Sequence, residues 1–190
     1  MEKNTGAHIR AYLKSHSIQF VEDIWDGSPR IIMSLDGYST CPGHRVEACI
    51  FFYSAGTIEA RVYYAEPAPQ IVQEEADRLP DVYRLLNFIN ARVFERNSDR
   101  IGGQLYSPSY LVQPRWYVTE DGYYDITATM VLHQDFFWLA PLEFEDYITA
   151  TLPRLLDHLS PYIFGVLLKN TSADFAIRCI RQSILKEPTD

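Results

Sequence analysis

Apolar and polar positions recur along the chain with periods that name most of its elements. Residues 5–16 place Ile9, Tyr12 and Leu13 at i, i+3 and i+4, with charges between them, which predicts a short helix with one apolar stripe. Four strand-like stretches follow. Ile18–Trp25 and Arg30–Leu35 flank the turn cluster Asp26-Gly27-Ser28-Pro29. Val46–Tyr53 is rich in β-branched and aromatic residues, and Thr57–Tyr64 sets Ile58, Ala60, Val62 and Tyr64 against Glu59, Arg61 and Tyr63. A period of two with one polar face is the pattern of a half-buried antiparallel strand. The short Gly-containing connection Ser54-Ala55-Gly56 joins these two strands into a hairpin.

Glu66-Pro67-Ala68-Pro69 stops the sheet, because proline cannot donate into a ladder. Val82, Leu85, Leu86, Ile89 and Val93 then predict a helix opening at Pro80, with Val72–Leu79 as a separate helical lead-in. Asn97–Gly103 reads as a polar loop. Tyr110–Thr119 and Tyr123–His133 read as strands joined at Glu120-Asp121-Gly122, with Tyr124, Ile126, Ala128, Met130 and Leu132 on one face. The last third is helical. Leu142–Leu159 carries Phe144, Ile148, Leu152, Leu155 and Leu156, with a kink expected at Pro153. Pro161 opens a new helix or kinks the old one, which runs on to Lys169. Ser172 or Asp174 begins a last helix, Ala173–Leu185. The order α-ββββ-α-ββ-αα predicts an α+β fold, an antiparallel β-sheet with helices packed on it, in a single domain over residues 1–190.

Composition narrows the classes of function. The chain has 190 residues, 47% apolar and 14% aromatic, a globular profile long enough for one core. Its 17 basic and 25 acidic side chains give a net charge of −8, which argues against nucleic acid as a partner. No apolar run approaches the ~20 residues that span a bilayer, and no apolar segment of a secretory signal follows Met1. Cys41, Cys49 and Cys179 are odd in number and lack CxxC spacing, as suits a reducing cytosol. The expectation is a soluble cytoplasmic protein without a membrane partner.

Motifs for chemistry are sparse. GxGxxG, GxxxxGK[ST], GxSxG and HExxH do not occur. Cys41-Pro42-Gly43-His44, with Cys49 beyond it, is the one local metal candidate; a polar turn with Cys49 buried in a strand is the plainer reading. A cysteine nucleophile would need Cys41 with His44, or a thiol brought to His133 or His158 by folding. Glu22-Asp23, Glu74-Glu75-Asp77, Glu120-Asp121 and Glu143-x-Glu145-Asp146 could serve acid–base work or a hard cation. They read instead as solvated surface, with Glu74, Glu75, Glu143, Glu145 and Asp146 placed in first helical turns. No catalytic residue, metal or cofactor is expected. One window stands out. From Trp116 to Pro153 there is no Lys or Arg, while seven acids and nine aromatics occur. Most of these aromatics suit a core, but Trp116, Tyr117, Tyr123, Asp125, Phe137 and Trp138 are candidates for a surface that meets a protein partner or a second copy.

Leu85-Leu86-Asn87-Phe88-Ile89-Asn90-Ala91-Arg92 resembles the L-N-x-x-N signature of the bacterial YbjN-like family of sensory transduction regulators. The hairpin at Glu120-Asp121-Gly122 resembles the two strands that follow that helix in the family. Leu152–Ile177, ending in Ser172-Ala173-Asp174-Phe175-Ala176-Ile177, resembles its closing helix and tail. The likeness runs from about Leu79 to Ile180, and in the N-terminal part only the order of elements matches. A Tyr38–Arg45 insertion and a long Asn97–Pro108 connection set this chain apart. The resemblance implies a type III secretion chaperone-like fold, commonly dimeric among the chaperones, with no catalytic residues to carry over. Late in their helix, Asn87 and Asn90 are placed to bond a neighbouring loop or strand. The leading expectation is a non-enzymatic protein-interaction module. The alternative is a small-ligand or metal sensor using Cys41, His44 and Cys49, and a weaker third is a hydrolase built from dispersed acids.

Overall fold

Alternation decides which side of each strand needs a cover. In a computed structural model, which describes residues 4–93 and 113–186, six strands form one antiparallel sheet. They are β1 (Phe20–Trp25), β2 (Ser28–Asp36), β3 (Arg45–Phe52), β4 (Thr57–Tyr64), β5 (Arg115–Val118) and β6 (Ile126–His133), in the order β1-β2-β3-β4-β6-β5. Register runs Ile31 to Ile50, Ile50 to Ala60 and Ala60 to Met130 across the inner face, and these side chains are buried. The next register row, Ile32, Cys49, Arg61 and Thr129, lies on the other face. The fold is α+β, as the pattern predicts.

Helices cover the inner face. They are α1 (Thr5–Ser15), α2 (Ala68–Glu74), α3 (Leu79–Arg92), α4 (Gln134–Phe137), α5 (Pro141–Asp146), α6 (Leu152–Leu167) and α7 (Ala173–Ser183). Helix α6 lies against β4, α3 against β5, and α7 against both helices. Side chains cap two helices: Asn4 Oδ1 accepts from the Ala7 amide at 2.9 Å, and Ser172 Oγ, one of the two expected starts of the last helix, from that of Phe175 at 3.2 Å. The expected kink at Pro153 takes the form of a π-helical turn, Tyr147–Thr151, just before it.

Of the two outcomes expected at Pro161, no new helix opens there; α6 runs through it and ends at Leu167, just short of Lys169. A proline inside a helix leaves the carbonyl four residues earlier, here that of Asp157, without its helical donor. The Thr40 hydroxyl donates to that carbonyl instead, and the Thr40 amide donates to Asp157 Oδ1 at 2.8 Å. Ser160 Oγ returns a bond to the Thr40 carbonyl at 2.6 Å. The β2–β3 connection is thereby fastened to α6. Gly43 belongs to the same arrangement: its φ is +67°, and a Cβ there would run into the Glu66 carbonyl.

Several expectations shift. The lead-in helix starts at Ala68, not Val72, so Glu74 and Glu75 sit at its C-terminal end rather than its first turn. Lys169 offsets that placement, with Nζ 3.0 Å from Glu75 and 3.5 Å from Asp77. Strand β5 begins at Arg115; the Asn97–Gly103 loop, and residues 110–112 of the expected strand, lie outside the described residues. Helix α4 follows β6 directly where none was expected.

Asn90 has the role its position suggests. Its side-chain amide donates to the Trp116 carbonyl at 2.9 Å and accepts from the Trp116 amide at 2.8 Å, so it stands in for a further strand at the edge of β5. Asn87 is exposed. Asn90→Ala is expected to lower stability by about 1–2 kcal/mol in urea titrations, because two edge groups lose their partners. Asn87→Ala is expected to change it by less than about 0.5 kcal/mol. Equal effects would contradict the assignment.

Candidate functional site: a groove on the open face of the sheet

The sheet face that no described helix covers holds a groove. Trp25, at the end of edge strand β1, and Tyr123, from the β5–β6 turn, meet over it with ring centroids 6.2 Å apart. They come from opposite edges of the sheet, and twist brings these diagonal corners together. Beneath them the groove measures about 430 Å³, with Cys49, Tyr63 and Thr127 among the residues that line it. Both rim rings are exposed, Tyr123 by 56% and Trp25 by 45%.

The two ends of the groove differ in charge. At one end Arg30 donates to Asp23 from Nε at 2.6 Å and from Nη2 at 2.8 Å, and its guanidinium lies 4.6 Å over the Trp25 ring. Arg61 donates to Glu59 at 2.5 Å and lies 4.8 Å over Phe51. Both cations are thus paired, and their stems help bury Phe51. At the other end stand Glu47, Glu66, Asp121 and Asp125. Burial, then the charges of Asp121, Glu47 and Glu66, push Asp125 up to about 6. Among the described residues no Lys, Arg or His lies within 4.0 Å of these four carboxylates; the ion pairs engage other acids.

The sequence-derived surface divides. Tyr123 and Asp125 belong to the groove. Tyr117 is on the same face further along, where its hydroxyl accepts from Thr129 at 3.1 Å. Trp116 and Phe137 are corrections: at 2% and 0% exposure they are core side chains and present no ring to a partner. The register explains Trp116, which is opposite Ala128 on the inner face. Trp138 is half-buried against His8 of α1, with centroids 5.1 Å apart, and Phe137 packs on the same imidazole at 5.8 Å. These two rings fasten α1 and have no part in the groove.

Cys41, His44 and Cys49 do not converge. Cys41 is in the core cluster, His44 bonds the Ser39 carbonyl through Nδ1 at 2.9 Å, and Cys49 faces the groove. Among the described residues, no three His, Cys, Asp or Glu side chains are placed to hold a metal ion. Burial pushes both the Cys41 and the Cys49 thiols up to about 12, so at neutral pH neither supplies a thiolate. No described helix is long and apolar enough to cross a membrane.

Glu145 is the other correction. It is 2% exposed, although the cluster around it reads as solvated. Tyr12 donates to Asp146 at 2.6 Å and meets Thr149 at 3.1 Å, and this contact draws α1 over the start of the π turn. Glu145 is trapped beneath: His8 Nε2 is 3.7 Å from its Oε1, which accepts no hydrogen bond. Burial and the adjacent Asp146 push Glu145 up to about 7. The sequence clue was Tyr12, a phenol on an otherwise aliphatic stripe, which needs a polar partner when buried.

Compared with family models, curated proteins and solved structures, the chain matches none.

Two measurements follow from these burials. In the native protein at pH 8, a thiol reagent is expected to modify roughly one cysteine quickly, the half-buried Cys179, and Cys179→Ser to abolish that phase. Rapid labelling of Cys49 would mean the groove floor is open. Glu145 carries its raised value only when folded, so between its ordinary 4.5 and about 7 the folded state holds a proton that the unfolded state has released. Stability is therefore highest below that window and falls as pH rises through it. Glu145→Gln is expected to recover about 1–3 kcal/mol at pH 8 relative to pH 4.5, and the exposed Glu74→Gln to recover nothing comparable.

Proposed function

We propose that the chain is a non-enzymatic protein-interaction module, chaperone-like or regulatory, of the kind that its YbjN-like features imply in a bacterial cytoplasm. The groove is where its partner docks. What carries this reading is the pair of exposed rings, Trp25 and Tyr123, set over a groove with a polar floor. Large aromatics that retain a polar edge supply anchor energy at interfaces. Trp25 also belongs to β1, which no described strand pairs on its outer side, so an extended segment leaving the groove can run along that edge.

A volume of about 430 Å³ also falls in the range of small-molecule sites, which favours a ligand-sensing role as the second reading. A random peptide display library panned on the folded protein tests the first. Peptides are expected that bind the native protein and bind the Trp25→Ala/Tyr123→Ala variant at least about tenfold more weakly, with the variant's fold checked by circular dichroism. If no recovered peptide depends on these two rings, peptide docking in the groove is wrong.

A further inference from the structure

The charge of the groove says what kind of segment fits it. We propose that its acidic end selects a positively charged side chain, so that the docked partner segment is basic, with a Lys or Arg held between the Tyr123 ring and the carboxylates of Glu47, Glu66, Asp121 and Asp125. This rests on the docking reading above.

Charge complementarity is the first support. Counting the acids bound to its arginines, the groove sets Arg30 and Arg61 against Asp23, Glu59, Glu47, Glu66, Asp121 and Asp125. The arginines are matched by Asp23 and Glu59, which leaves four carboxylates around the other end with no arginine paired to them. Their mutual repulsion is visible in Asp125, which they help hold above the ordinary carboxylate range. A cation entering there relieves that repulsion, which an acidic or neutral group cannot do.

The surrounding rings point the same way. The Tyr123 face is exposed beside these acids, and a cation over an aromatic face is attracted by the ring quadrupole. The groove already stacks one guanidinium of its own, that of Arg30 on Trp25. A metal ion is a poorer fit, because the described acids are spread around the groove and no three converge on one point.

The test takes those peptides from the library whose binding depends on Trp25 and Tyr123, and measures each on a Glu47→Gln/Asp125→Asn variant. The control is Asp77→Asn/Asp174→Asn, which removes the same formal charge away from the groove. Both variants are checked by thermal melting. Neutralising Asp125 relieves repulsion and is not expected to unfold the chain. The expected result is Lys- or Arg-rich peptides whose affinity falls with added salt, drops roughly tenfold or more on the groove variant and holds on the control. Ring-dependent peptides of neutral or acidic composition would overturn the cation preference and leave the docking site standing. So would equal losses on both variants, which would show only attraction to a chain of net charge −8. With no ring-dependent peptide at all, the docking reading fails and this one with it.

Discussion

Helix α6 must lie across the inner face of the sheet, and most of the molecule is arranged so that it can. The β4 side chains it covers, Val62 and Tyr64 among them, have no other route out of water. Yet the helix carries Pro153 in its first turn and Pro161 in its interior, and the interior proline removes a donor from its ladder. The protein supplies a replacement from elsewhere, the Thr40 hydroxyl serving the Asp157 carbonyl, and Tyr64 adds a bond of its own to the Leu156 carbonyl at 2.8 Å. These bonds join the sheet and the β2–β3 connection to the helix they support. With the inner face closed, the outer face remains to curl on itself.

That division explains where function can sit. The inner layer is apolar and continuous, whereas the outer face carries Glu47, Tyr63 and Thr127 in one register row, with Arg61 and Arg30 in the two rows beyond it. Sheet twist turns these rows into a groove by bringing Trp25 and Tyr123 together. A pocket made in this way needs no loop inserted for the purpose. It needs only a long enough sheet and large side chains at two diagonal corners.

Much of the architecture was legible because burial leaves a period in the sequence. The alternation of Ile58, Ala60, Val62 and Tyr64 gave β4 its bounds, and the helical spacing of Val82, Leu85, Leu86 and Ile89 gave α3. The groove was less legible. Tyr123 and Asp125 were recognisable as unusual, but Trp25 was not, since its meaning depends on a residue 98 positions away (123 − 25) across a twisted sheet. Trp116 illustrates a signal that was present and outweighed: it is in phase with Val118, opposite the inward Ala128 and Ile126, while its neighbour Tyr117 points outward. Glu145 shows the converse limit. Charge clusters usually mark water, and only the arrival of α1 through Tyr12 shuts this one in.

Asn90 has a wider consequence than the two bonds it makes. A sheet can recruit further strands at each edge whose amides and carbonyls are unengaged. At β5 the donor and acceptor of Trp116 are already taken by a side chain of the same molecule, whereas β1 has no described neighbour on its outer side. Recruitment is therefore polar. Stacking of copies edge to edge needs two free edges on each, and Asn90 interrupts one of them, so strand addition is confined to the β1 side of the described sheet.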